Sequence, residues 1–246
     1  MCGRYASSRR PEDLVEEFRI ERSEVTEALV ADYNVAPTKE VYAVLERPPR
    51  GDRARQRQLR VLTWGLVPSW AKDPSIGNKM INARVETVAE KPAYRKAFAA
   101  RRCILPADGY YEWYTPDEDS KAGKQPFFIR PEDGGVLAMA GLYEIWRDPT
   151  RGEDDPDRFR WTCTVLTTTA EDDLGHIHDR MPLLVEPDRY TAWLDPTVAA
   201  TPELTRLLVP AAPGRLQAYP VSTAVNNVKN NGSELVEPLP VEEGGP

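Results

Sequence analysis

Cys2 stands directly behind the initiator methionine, so removal of Met1 would leave a free α-amine and a thiol on adjacent carbons. Such a 1,2-aminothiol condenses with aldehydes: the amine forms an imine, and sulfur then closes a five-membered thiazolidine more durable than the imine. A terminal amine has a reference pKa near ~8, against ~10.4 for lysine, so a usable fraction is neutral at physiological pH.

Other reactive groups are sparse. Cys2, Cys103 and Cys163 are odd in number and far apart, which suits a reducing compartment better than a disulfide framework. No CxxC pair is present, and the two histidines, His176 and His178, stand at i, i+2 without a nearby thiol. Neither a metal nor a cofactor is expected. The formal charge of −7 argues against binding polyanions through bulk electrostatics. It hides an asymmetry: residues 1–110 carry 20 Lys/Arg against 15 Asp/Glu, and residues 111–246 carry 12 against 24. Anion binding, if it occurs, belongs mostly to the first half. The acidic second half reads equally well as a solubilising surface.

Six segments surround these groups in the sequence: MCGRYA at the start, Tyr33–Thr38 (YNVAPT), Trp64–Asp73 (WGLVPSWAKD), Met80–Thr87 (MINARVET), Pro106–Trp113 (PADGYYEW) and Ile177–Pro182 (IHDRMP). In that order they resemble the SOS-response-associated peptidase family, the SRAP domain, from Met1 to about Asn231. The resemblance implies a mixed, barrel-like fold that binds single-stranded DNA and captures the open-chain aldehyde of an abasic deoxyribose as a thiazolidine. It implies Cys2 as the crosslinking residue, Asn82 as the holder of the Cys2 amine, Glu112 as acid/base and His178 as the active-site histidine. It also implies a lyase-type activity and a peptidase activity that removes residues preceding Cys2. His176 falls outside the motif and receives no role.

The residues agree with this chemistry. Carbinolamine dehydration and ring closure are proton-transfer steps, for which a carboxyl and an imidazole are suited. Glu112 follows two tyrosines and precedes Trp113, an apolar setting that would raise its pKa toward working pH. Arg4, Arg84 and Arg180 lie two residues after Cys2, Asn82 and His178. On extended chain, i and i+2 share a face, so each would reach DNA phosphates from the same cleft. Trp70 could stack on a base beside the lesion, and Asn34 could line the pocket. From the residues alone, a solvent-facing Glu112, a turn or cap at Asn82 and a core Trp70 stay open.

Positioning these groups falls mainly to strands, expected at Val41–Leu45, Leu59–Trp64, Cys103–Leu105, Tyr110–Tyr114, Phe127–Arg130, Val136–Leu142 and Trp161–Thr168. Short helices are expected at Pro11–Phe18, Pro92–Ala100, Arg189–Leu194 and Pro202–Leu208. Strands in runs, without a helix after each, predict an α+β fold: a single domain with a mainly antiparallel, barrel-like core and a few peripheral helices. Charged, Gly/Pro-bearing stretches at 47–57, 115–125 and 148–157 read as surface hairpin connections. The domain is expected to end near 231, with 232–246 a flexible acidic tail.

The chain shows neither an apolar run of ~18 residues nor an apolar leader, so a cytoplasmic monomer without membrane contact is expected, associated with the nucleoid when on DNA. Two alternatives remain. A noncatalytic single-stranded-DNA module would use the same groove and leave Cys2 inert. Glutamine amidotransferases with an N-terminal cysteine also begin Met-Cys-Gly, but they carry an Arg-His-Arg-Gly-like segment that histidines at 176 and 178 cannot supply.

Overall fold

The computed structural model describes residues 2–47, 55–115, 123–170, 174–199, 201–210 and 214–240. Thirteen strands are formed among them: β1 (Tyr5–Ser7), β2 (Arg22–Ser23), β3 (Asp32–Val35), β4 (Glu40–Glu46), β5 (Arg57–Trp64), β6 (Asn82–Arg84), β7 (Arg102–Ala107), β8 (Gly109–Tyr114), β9 (Gln125–Pro131), β10 (Leu137–Arg147), β11 (Phe159–Thr169), β12 (Arg180–Pro182) and β13 (Leu216–Pro220). The α-helices are α1 (Pro11–Glu17), α2 (Arg95–Ala100), α3 (Tyr190–Leu194) and α4 (Thr201–Thr205). The fold is α+β, as the sequence predicts.

One sheet runs β12-β11-β10-β7-β4-β5-β2, and β11 also pairs with β5 in parallel. That pairing closes β11, β10, β7, β4 and β5 into a five-stranded barrel. Residues alternate across its wall with the two-residue period of a strand. Ala43, Leu45, Cys103, Leu105, Met139, Tyr143, Cys163 and Val165 fill the interior. Tyr42, Val44, Ile104, Ala138, Ala140, Leu142 and Leu166 face outward, onto Leu14, Phe18, Phe98 and Trp193 from the helices. Both faces of β4, β7 and β10 are therefore covered, which is why these strands read as nearly continuous apolar runs, whereas β5 is half-buried at Arg57, Gln58, Arg60, Val61 and Thr63. The interior is tight: a Cβ on Gly141 would lie 2.9 Å from the Thr164 carbonyl oxygen and 3.0 Å from Cys103 Sγ.

The second sheet, β13-β9-β8-β1-β3, lays Tyr5, Tyr110 and Ile129 against the barrel core. Its other face carries Ala6, Tyr111 and Phe128, covered by Val221, Val225 and Leu235.

The seven expected strands all form. Trp161–Thr168 lies within β11, whereas β10 runs on past Leu142 to Arg147 because Glu144 is held by Arg101 and Trp146 is buried with its Nε1–H on the Ala71 carbonyl. The short strands β1, β2, β3, β6, β12 and β13 were not expected. The helix expected over Pro92–Ala100 begins only at Arg95, and that over Pro202–Leu208 closes at Thr205. The three hairpin connections join antiparallel neighbours, although residues 48–54 and 116–122 lie outside the described residues.

The expected frayed tail needs correction. Ser233–Val236 forms a 3-10 turn, Leu235 is buried, and Tyr219 Oη donates to the Val236 carbonyl at 2.9 Å. Apolar Leu235 completes the cover over Tyr111 and Phe128, so the ordered chain reaches at least Pro240. Residues 241–246 lie outside the described residues. Among the described residues, no helix is long and apolar enough to cross a membrane.

Candidate functional site around Cys2

Cys2 lies three residues ahead of Tyr5, the first residue of β1, which pairs with Tyr110 of β8; just before the strand, the Arg4 carbonyl accepts the Tyr111 N–H at 2.9 Å. Continuing this antiparallel register brings the chain start alongside Glu112. A third segment meets them: β6 pairs in parallel with β11, Asn82 opposite Val165, and Asn82 Nδ2 donates to the Cys2 carbonyl at 2.7 Å. Tyr94 Oη in turn donates to the Asn82 carbonyl at 3.2 Å.

Cys2 is fully buried, and that burial, with the negative potential of Glu112 added, pushes its thiol pKa up. The thiol is held in its protonated form. Glu112 is only 4% exposed, and burial pushes its carboxyl up to about 7, with the charge of the chain's amino terminus opposing. A carboxyl in that range can both give and take a proton near neutrality.

His178 lies before β12. Its Nδ1 accepts the Arg180 main-chain N–H at 3.0 Å and also sits 2.9 Å from Asp179 Oδ1. An acceptor Nδ1 requires the neutral ring with its proton on Nε2, whereas an ion pair with Asp179 requires a charged ring. Burial lowers the His178 pKa, and the Asp179 side chain is 84% exposed, where solvent screens its pull. The neutral form is the one the surroundings favour.

The structure thus brings Cys2, Asn82 and Glu112 together. Asn82 grips Cys2 through its carbonyl rather than its α-nitrogen, and Asn82 Oδ1 is buried without a hydrogen-bond partner among the described residues. That oxygen is the natural acceptor for an amine.

The five residues expected to touch DNA divide. Arg84 is exposed and forms no side-chain hydrogen bond or ion pair among the described residues, and Trp70 is 56% exposed on the Pro68–Ala71 turn. Arg4 is half-buried: its Nη1 donates to Asn34 Oδ1 at 2.6 Å and to the Val225 carbonyl at 2.9 Å, and its guanidinium lies 5.8 Å from the Trp113 ring centre. Asn34 does not line an open pocket. It is fully buried, and its Nδ2 donates to the carbonyls of Val225, Asn227 and Asn230, an internal strut that satisfies three loop carbonyls. Arg180 is buried too, in a two-pronged pair with Glu86 at 2.6 and 3.1 Å, so its guanidinium is already occupied.

Three residues near the site were not singled out from sequence: Tyr94, Trp113 and Glu86. Trp113 Nε1 donates to Asn226 Oδ1 at 2.7 Å, tying the segment after β13 to the end of β8. For Glu86 a signal existed, since Asn82, Arg84 and Glu86 recur at every second position.

A barrel that buries its own second residue beside a neutralisable carboxyl, with an asparagine amide on its carbonyl, defines a class of protein built around its amino terminus. The chain belongs to the SRAP family, described as SOS response associated peptidase, whose model matches residues 1–228. It is 39% identical over 237 residues to the Bacillus subtilis (strain 168) protein named abasic site processing protein YoqW, covering 96% of this chain and 99% of that one. It is 34% identical to abasic site processing protein YedK of Escherichia coli (strain K12), covering 97% and 100%. Among solved structures, a protein from Bacteroides thetaiotaomicron superimposes with a TM-score of 0.81 at 25% identity, over 97% of this chain and all of the other.

Proposed function

We propose that this protein processes abasic sites in DNA and, once Met1 is removed, captures them covalently through Cys2 in single-stranded DNA. The observation that carries the reading is the 2.7 Å bond by which Asn82 holds Cys2 beside Glu112, a carboxyl raised to about 7. The relatives named abasic site processing proteins support the substrate class.

Because burial keeps the thiol protonated, the α-amine acts first. Its nitrogen adds to C1′ of the ring-opened sugar, forming a carbinolamine. Glu112 gives a proton to the leaving hydroxyl, water departs and the imine forms. Sulfur then adds to the imine carbon while the thiol proton passes to nitrogen, closing the thiazolidine. His178, neutral in its surroundings, serves the proton transfers of ring opening and reversal. The imine stage is also the one from which a lyase-type strand cleavage would proceed. The same carboxyl and imidazole would assist hydrolysis of the peptide bond preceding Cys2, the autoprocessing that exposes the amine. Arg84 and Trp70 supply the exposed cation and stacking surface for a single strand.

Intact-mass measurement of the purified protein, alone and after incubation with an abasic single-stranded oligonucleotide, tests this. The expected result is a chain lacking Met1 that gains the oligonucleotide mass less one water. Cys2→Ser should give only an adduct that needs borohydride to survive denaturation. A heat-stable adduct of Cys2→Ser at wild-type yield without reductant would overturn the thiazolidine route. A gel shift seen only under native conditions would instead favour the noncatalytic module.

A further inference from the structure

The ring of His178 is oriented by main chain: the Arg180 N–H points at Nδ1 from 3.0 Å. That N–H shares a peptide plane with the Asp179 carbonyl, which accepts the Ala170 N–H at 2.9 Å in the β11–β12 pairing, and the far end of Arg180 braces the same stretch. Arg180 Nη1 donates to Glu86 Oε1 at 2.6 Å, and Nη2 donates to Glu86 Oε2 at 3.1 Å and to the Thr167 carbonyl at 2.6 Å. The Thr167 carbonyl also accepts the Val85 N–H at 3.0 Å, so the guanidinium clamps β11, the segment after β6 and the start of β12. Two-pronged arginine–carboxylate pairs are geometrically demanding as well as strong. A competitor lies close by, since Asp179 Oδ1 sits 2.9 Å from the same Nδ1. If the Arg180 N–H turns away, Nδ1 can instead carry a hydrogen and donate it to Asp179. The clamp, together with the β11–β12 pairing, therefore stands between two tautomers of one ring.

We propose that Glu86 is a positioning residue for His178: by locking Arg180 it aims the Arg180 N–H at Nδ1 and keeps the proton of the neutral imidazole on Nε2. The catalytic part of this role rests on reading His178 as a proton-transfer group; the tautomer itself does not. Glu86 touches neither Cys2 nor its reacting atoms. Its effect runs through a backbone donor, much as the buried acid of a hydrolase triad fixes its histidine.

His176 and His178 are the only histidines, so nitrogen NMR of ring-labelled protein, free of DNA and in buffer alkaline enough to keep the rings neutral, reads the tautomer directly. Wild type is expected to show His178 with the proton on Nε2. Glu86→Ala should shift it to a mixture and slow single-turnover crosslinking by roughly ten- to a hundredfold, the scale of a misplacement of about 1 Å, with unchanged affinity for single strands. Glu86→Gln keeps one acceptor for the guanidinium and should recover most of both, and it serves alone if the alanine variant does not fold. A purely structural Glu86 would lower the melting temperature and leave tautomer and rate at wild-type values, which overturns the proposal. Tighter DNA binding by Glu86→Ala without loss of rate also overturns it, because Glu86 would then be withholding Arg180 from phosphate. If wild-type protein forms no crosslink at all, the functional reading fails while the tautomer comparison still decides the role of Glu86.

Discussion

The side-chain amide of Asn82 donates to the main-chain carbonyl of Cys2 at 2.7 Å, while Asn82 Oδ1 is buried without a hydrogen-bond partner among the described residues. One end of the amide fixes the position of the reactive residue and the other offers an acceptor where an amine would lie. Asn82→Ala should therefore slow crosslinking by more than a single neutral hydrogen bond, about 1 kcal/mol or fivefold, would account for, because both positioning and amine contact are lost. Asn82→Asp should retain the acceptor but lose the donor to the carbonyl. Crosslink rates at saturating protein, compared with affinities measured on a Cys2→Ala background, separate the two effects. Equal rates for Asn82→Ala and wild type would remove Asn82 from the reaction.

Glu112 has a folded pKa of about 7, above its ordinary 4.5. Between those values the folded chain binds more proton than the unfolded one. The stabilisation from holding that proton is full below 4.5 and is lost as pH rises through about 7, at most about 3 kcal/mol in total. Urea unfolding of wild type should show stability falling across this window. Glu112→Gln, uncharged throughout, should flatten that fall, and its crosslinking should be slower by ~10²–10⁴, the usual contribution of a general acid–base group. A wild-type rate in Glu112→Gln across the same window would reduce Glu112 to a strand residue.

Long strands were legible in the sequence because β4 and β10 are buried on both faces and read as apolar runs, while β5 and β11 carry β-branched and aromatic residues. The short strands were not, because their extended state is imposed by a neighbour. Asn82–Arg84 is a strand because Val165–Thr167 offers it an edge, and Arg180–Pro182 because Thr167–Thr169 does. In the site, Cys2 and Glu112 announce themselves by residue type and apolar flanks. The fate of the arginines does not: Arg4, Arg84 and Arg180 share one local pattern, yet one is pinned to Asn34, one is exposed and one is paired with Glu86 across 94 residues of chain. Asn34 likewise became a strut only through the carbonyls of Val225, Asn227 and Asn230, far away in sequence.

That division makes the arginines separable by salt. A phosphate contact contributes roughly −0.7 to the log–log slope of affinity against salt for single strands. Arg84→Ala should weaken binding and flatten the slope by about that amount. Arg180→Ala, whose charge is already neutralised by Glu86, should change the slope far less while slowing the covalent step. Titrations of a nonreactive Cys2→Ala background at several salt concentrations check this. A full slope change for Arg180→Ala would mean that its pair with Glu86 opens on DNA.

Arg102 gives a prediction confined to the fold. It is 1% exposed, and its guanidinium donates to the carbonyls of Phe98 and Trp193 at 2.7 Å, Ala99 at 2.9 Å and Val198 at 3.1 Å, and also to that of Asp195. The Phe98, Ala99, Trp193 and Asp195 carbonyls close the ends of α2 and α3, where a helix leaves its last oxygens without internal partners, and Val198 lies just beyond α3. Burial lowers the Arg102 pKa to about 10, so the group remains charged at neutral pH and can serve all five oxygens. Arg102→Met fills much of the same volume but removes a donor from each of these oxygens, the Asp195 carbonyl alone among the described residues keeping the Val198 N–H at 3.2 Å, and each oxygen left unpaired costs about 1–3 kcal/mol before relaxation or water entry. A loss of about 3 kcal/mol or more is expected in urea unfolding. Arg102 lies outside the Cys2 site, so the folded fraction of the variant should crosslink at the wild-type rate. Unchanged stability in Arg102→Met would show that α2 and α3 hold to the barrel through Phe98, Trp193 and their apolar neighbours alone.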